Sequence, residues 1–153
     1  MNELAAFAAG RWRAFHGLAK CAVATADAEL GPPLEDDLHG GMFGGEPAQF
    51  RRYPAGPAAP KGVTCWILGN IVVGLEIREP EPPPAMLADL GPPEAVLTSE
   101  LGTEWSQELW ASRGIVIHRR GDRIRVAFGL APFTLAEWES DPLRWWRIER
   151  IQR

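Results

Sequence analysis

The tetrapeptide Leu30-Gly31-Pro32-Pro33 recurs as Leu90-Gly91-Pro92-Pro93, and this repetition constrains the fold more than any other feature of the chain. Self-similarity of this kind marks a structural unit used twice. An Ala-rich acidic stretch precedes each copy, Thr25 to Glu29 and Pro84 to Asp89. Gly just past a helix stops it, and Pro suits the first turn of another. Each copy is therefore expected to run from a helix, through the stop, into a second short helix or turn, over Leu34 to Gly45 and Glu94 to Gly102.

The similarity resumes downstream, where Gly62-Val63-Thr64-Cys65-Trp66-Ile67-Leu68-Gly69-Asn70 matches Gly114-Ile115-Val116-Ile117-His118-Arg119-Arg120-Gly121-Asp122. Both read as a strand and a two-residue turn, followed by return strands Ile71 to Arg78 and Arg123 to Leu130. Gly at the first turn position predicts a type II′ hairpin, because that position needs positive φ. In the second return strand Ile124, Val126 and Phe128 alternate with Arg123, Arg125 and Ala127, the period of a half-buried strand. A further strand precedes each hairpin, Gln49 to Tyr53 and Trp105 to Trp110, and the first copy is longer by one loop, Pro54 to Lys61.

The expected fold is α+β: two tandem helix-turn-helix plus antiparallel β-meander units, approximately 25–79 and 84–131, forming a sheet with helices packed on one side. The Pro-rich run from Glu79 to Pro84 joins the units, since such a segment suits neither helix nor central strand. The whole chain, 1–153, is expected to be a single domain. Before the repeats, Leu4, Phe7, Phe15, Leu18 and Ala22 share one face of a predicted N-terminal helix over 3–23. In the C-terminal extension, 132–153, Thr134-Leu135-Ala136-Glu137 is a capping box that starts a short helix ending before Pro142. Residues 143–153 suit a strand or a helix equally well.

A helix ending in Leu90-Gly91-Pro92-Pro93, a second segment closed by Leu101-Gly102, the strand Trp105 to Trp110 and the hairpin Gly114 to Gly121 together resemble the β-lactamase inhibitor protein family. The pattern is also similar to that of small outer-membrane lipoproteins that assist barrel assembly. The resemblance covers about residues 25 to 130. It implies a tandem of two units whose sheet offers a concave face to a protein partner. Function does not follow from fold alone, and the secretion signal, disulfide cysteines and lipidation cysteine of those families are not expected here.

Composition narrows the class of partner. The net charge of −4 argues against a nucleic-acid surface, which needs a basic patch to neutralise phosphates. No run approaches the roughly 18 apolar residues of a membrane span, and Met1-Asn2-Glu3-Leu4 does not read as a secretory signal, so a cytoplasmic location is expected. Cys21 and Cys65 are expected to be thiols rather than a disulfide.

No catalytic, cofactor or metal site is expected. His16, His39 and His118 are not at metal-binding spacing. Asp36-Asp37-Leu38-His39 reads as a solvated acidic turn, and Gly40 to Gly45 as a mobile turn lacking the Lys of a phosphate loop. Cys21 with His16, and Glu104 with Glu108, lack the orienting groups that nucleophilic or acid–base chemistry requires. The seven Trp residues carry more information, because Trp, Tyr and Arg concentrate at interface centres. Phe50, Arg52, Tyr53, Trp105 and Trp110 fall on predicted strands and are the candidate partner-binding residues. Trp105 and Trp110 point to opposite faces, so one can face the core and the other a partner; a sheet covered on both faces would make all of them core. The expected function is a non-catalytic protein-binding module, an immunity or inhibitor protein or an accessory subunit. The alternative is a small-molecule-binding protein or enzyme using the cleft between the two units.

Overall fold

The computed structural model of the protein describes residues 3–43, 46–99 and 101–140, without the side chains of 37–42 and 46. It is α+β, with nine strands in one sheet and four helices among the described residues. The helices are α1 (Glu3–Ala8), α2 (Val23–Leu30), α3 (Pro83–Leu90) and α4 (Leu135–Ser140). The strands are β1 (Cys21–Ala22), β2 (Glu35–Phe43), β3 (Glu46–Tyr53), β4 (Val63–Leu68), β5 (Ile71–Arg78), β6 (Ala95–Thr98), β7 (Ser106–Trp110), β8 (Ile115–Arg120) and β9 (Arg123–Gly129). Their order is β2-β3-β4-β5-β9-β8-β7-β6, every pairing is antiparallel, and β1 adds to the end of β5.

Each Leu-Gly-Pro-Pro ends a helix as expected, with Gly31 at φ 84 and Gly91 at φ 73, a left-handed conformation that Gly adopts without a Cβ penalty. The segments after the two motifs, by contrast, form strands β2 and β6 rather than a second helix, so the helix-turn-helix element is absent. The reason is backbone capture by the next strand: Leu34 N donates to Arg52 O at 2.7 Å and Glu94 N to Leu109 O at 2.8 Å. Once the first residue is held to a neighbouring strand, extended pairing satisfies the remaining backbone groups. Strand β2 also runs through Gly41, where a glycine-rich turn was expected, and its register shifts between Asp37 and Gly41.

Both predicted hairpins form. In the β8–β9 turn φ is positive at Gly121 (59°) and not at Asp122, the sign pattern of type II′. The β4–β5 turn has positive φ at both Gly69 (52°) and Asn70 (68°), the type I′ pattern, which Asn tolerates. The N-terminus is not one helix over 3–23. α1 stops before Gly10 (φ 79), a 3-10 turn spans Trp12–Ala14, Gly17 bends at φ 113, and Cys21–Ala22 pairs with Ile71 and Val72. A Cβ at Gly10 would lie 2.7 Å from the Met86 Cε, so this break lets α3 approach closely.

Alternation along the strands produces two cores. On one sheet face Tyr53, Val63, Cys65, Leu75, Ile77, Trp110, Ile115 and Ile117 pack beneath Leu4, Phe7, Trp12 and Phe15 of the N-terminal segment, Ala26 of α2, and Met86 and Leu90 of α3. On the other face Trp66, Leu109, Val116, Val126 and Phe128 pack with Phe43, Leu130 and Trp138 of α4. The helices are therefore not confined to one side, because α4 carries its Trp onto the second face. Its predicted capping box is present: Glu137 N donates to Thr134 Oγ1 (3.1 Å), while Thr134 N donates to Glu137 Oε1 (3.2 Å). The expectations for 143–153 lie outside the described residues.

Candidate protein-binding face

The second sheet face is built differently in its two halves. In β3, β4 and β5 the register places Phe50 opposite Trp66, Arg52 opposite Thr64, and Thr64 opposite Glu76. Directly opposed residues of an antiparallel pair point to the same face. Phe50, Arg52, Thr64 and Glu76 line a groove of about 290 Å³ together with Arg78 and, at the rim, Glu35 and Lys61. None of the described helices packs over this half; the second-face core takes only α4, through Leu135 and Trp138.

The floor of the groove is a buried carboxylate. Glu76 is 2% exposed, accepts from Trp66 Nε1 at 3.0 Å, and accepts from Arg78 Nε at 2.9 Å. Burial pushes its carboxyl above the ordinary glutamate range, opposed by the Arg78 charge and the Trp66 hydrogen bond. Around it, Arg52 bonds Glu35 (3.2 Å) and Lys61 O (3.3 Å), and Lys61 bonds Glu79 (3.0 Å). These outer pairs are solvent-exposed, and such pairs are worth only about 0–1 kcal/mol, so a ligand can displace them.

Over the other half, α4 is tethered by a buried polar chain. Trp138 Nε1 donates to Gln107 Oε1 (3.0 Å), Gln107 Nε2 lies 3.5 Å from His118 Nε2, and His118 Nδ1 lies 2.7 Å from Ser99 Oγ. Leu101 N also donates to Ser99 Oγ (3.1 Å). The His118 tautomer protonated on Nδ1 fits these contacts, since Nε2 then accepts from the Gln107 amide. A Ser beside a His is an element of nucleophilic catalysis. Here both are 3% exposed, and the printed contact on the other side of the ring is the Gln107 amide, which also holds Trp138.

The five residues singled out by sequence do not form one patch. Phe50 and Arg52 line the groove, with the Phe50 ring 5.6 Å from that of Trp66. Tyr53 (0% exposed) and Trp110 (4%) are in the helix-covered core and present no surface to a partner. Their strand positions face α1–α3, and Tyr53 Oη donates to Asp27 Oδ1 of α2 at 2.6 Å. Asp27 also receives Arg51 Nη1 at 2.8 Å, which docks α2 on the sheet. The Tyr53 bond, with help from Arg51, holds the Asp27 carboxyl below its usual range, and burial pushes the Tyr53 phenol up. Trp105 lies just before β7, half-buried, with the Arg120 and Arg123 guanidinium carbons 5.0 and 5.8 Å from its ring centroid.

Glu76, Ser99, Gln107 and His118 were not anticipated from sequence. Alternation gave no sign of Glu76, which shares the polar parity of Arg78 in Leu75-Glu76-Ile77-Arg78; His118 shares parity with the apolar Val116, a weak sign of burial. Cys21 and Cys65 are free thiols, and no cluster of metal-ligating side chains occurs among the described residues. Compared with protein-family models, with curated proteins and with solved structures, the chain gives no match.

Proposed function

We propose that this chain is a non-catalytic protein-binding module made of two copies of a helix-plus-four-strand unit, and that its partner seats on the half of the second sheet face that no described helix covers. Several registers support the repeat. The sheet order reads the same from either edge, if β2 to β5 are matched to β6 to β9. The two hairpins break register at corresponding points, Trp66/Ile67 and His118/Arg119. At the central junction the pairs Leu75–Gly129 and Ile77–Ala127 exchange about Glu76–Phe128, as a local two-fold axis requires.

One observation carries the binding reading. Matched positions on the second face are Arg52 and Leu109, Thr64 and Val116, Glu76 and Phe128, Arg78 and Leu130. These four pairs are apolar in the half that α4 covers and polar in the groove half, whereas Phe50/Gln107 and Trp66/His118 run the other way. A face that needed only burial would carry Leu and Val in both halves. The polar groove with Phe50 at its wall has the composition of an interface with an aromatic anchor and an Arg rim. An immunity or inhibitor protein, or an accessory subunit, uses such a face.

A second reading rests on an apolar cavity of about 260 Å³ lined by Leu18, Phe43, Leu68, Val73, Leu130 and Phe133, with Lys20 and Glu137 also on its wall. It would take a small apolar ligand. The two readings are separated by capture from the native host with wild-type protein, Phe50→Ala and Arg52→Glu. Binding through the groove predicts a partner retained by wild type and lost from both variants. Equal retention by all three would refute the groove as the interface.

A further inference from the structure

The β8–β9 hairpin is the most strongly cationic part of the described chain. It carries Arg119, Arg120, Arg123 and Arg125, against a single acid, Asp122, within seven residues of a protein whose net charge is −4. The matched positions of the β4–β5 hairpin are Ile67, Leu68, Ile71 and Val73, so the hairpin itself does not require arginine there. The first hairpin is covered, since β1 pairs with Ile71 and Val72. No strand pairs with the corresponding end of the second among the described residues.

The four cations are not equally neutralised. Arg119 bonds the buried Glu108 and the carbonyl of Gly121, and Arg120 bonds Glu104 at 2.8 Å. Arg123 and Arg125 make no direct ion pair with a carboxylate among the described residues, although both charges act on Glu79 nearby, and Arg123 rests over the Trp105 ring. Trp105 thus holds two guanidinium groups side by side, which lowers the rotamer entropy lost on binding. Planar guanidinium forks match carboxylates in two-point contacts.

We infer that the β8–β9 tip, with Trp105 as its platform, is a second docking site, separate from the groove, that takes an acidic segment of a partner protein. Charge complementarity carries the choice of occupant. A nucleic-acid strand would need an open aromatic face for base stacking, and guanidinium groups already lie over the Trp105 ring. The site does not rest on the groove reading, because the two surfaces share no residue.

The test is a titration of isotope-labelled full-length protein with a blocked ten-residue oligoglutamate, and in parallel with a ten-nucleotide oligouridine, followed by nuclear magnetic resonance. The expected result is a shift of the Trp105 indole N–H and the Gly121 amide by oligoglutamate, weakened at least tenfold in Arg120→Glu/Arg123→Glu. The milder Arg123→Ala should weaken it by a smaller factor, and Arg11→Glu, a charge reversal on the exposed N-terminal segment, should leave it unchanged. The inference is overturned if oligoglutamate shifts neither signal, if Arg11→Glu weakens binding as much as the hairpin reversals, or if oligouridine binds the tip as tightly as the peptide. None of these outcomes bears on capture through Phe50 and Arg52, so the failure of one site is distinguishable from failure of the other.

Discussion

Trp66 and Trp110 are both buried, at 1% and 4% exposure, yet the same substitution should affect them very differently. The Trp66 indole N–H donates to the buried Glu76 carboxylate at 3.0 Å, whereas the Trp110 indole N–H has no hydrogen-bond partner among the described residues. Trp→Phe leaves a similar small cavity at each site, worth roughly 1–2 kcal/mol. At position 66 it also removes a hydrogen bond to a charged group, worth about 1.5–3 kcal/mol. At position 110 it removes an orphaned donor whose burial costs about 1–3 kcal/mol, which offsets the cavity. Trp66→Phe should therefore destabilise by roughly 2.5–5 kcal/mol, and Trp110→Phe should fall between about 1 kcal/mol less and about 2 kcal/mol more stable than wild type. Urea unfolding at neutral pH measures both. Equal losses, or a larger loss at Trp110, would refute the hydrogen-bond argument. The pH dependence supplies a check on sign. Glu76 has a raised carboxyl pKa in the folded state, so its contribution to stability is full below the ordinary glutamate value and is lost as pH rises through the folded value. The penalty of Trp66→Phe should accordingly shrink as the solution is acidified and Glu76 takes up its proton.

Other expectations rest on single contacts. Asp27 has the opposite sign: its carboxyl pKa is lowered by Tyr53 and Arg51, so its contribution is present above the ordinary aspartate value and lost as pH falls through the folded value. Tyr53→Phe should flatten that acid limb in a pH series of melting curves. Thr134→Ala removes the α4 capping bond and should cost ~1 kcal/mol, read from urea unfolding. Trp105→Ala should change the melting temperature little, while Trp110→Ala should cost ~3–5 kcal/mol, because only the second lies in the helix-covered core.

Much of the strand framework was legible because it depends on local chemistry. Gly69-Asn70 and Gly121-Asp122 between apolar alternations can hardly be anything but hairpin turns, and the α4 capping box is a four-residue signal. The segments after Gly31 and Gly91 were misread because Gly-Pro-Pro punctuation serves a Pro-opened helix and an edge strand alike. Only the later strands β3 and β7, distant in sequence, decide between them. The N-terminal stretch was misread because its buried residues Leu4, Phe7, Phe15 and Leu18 can be brought to one side by bends at Gly10 and Gly17 as well as by a helix.

The site was legible in part for a related reason. Strand parity shows that Arg52 and Tyr53 face opposite ways, but not which face α1–α3 will cover, so Phe50 and Arg52 were identified together with the core residues Tyr53 and Trp110. Glu76 sits on the polar parity of its strand and was not legible at all, and the burial of His118 has meaning only once Ser99 is seen to meet it.

The central claim, that a partner occupies the polar half of the second sheet face, is tested most directly by photo-crosslinking. A photoreactive amino acid placed at Thr64, in the groove, is compared with one at Asp89, exposed on α3 on the opposite side of the sheet. Illumination in the native host should yield one discrete adduct from position 64, abolished by Arg52→Glu, and none from position 89. An adduct of the same protein from position 89 but not from 64 would contradict the account.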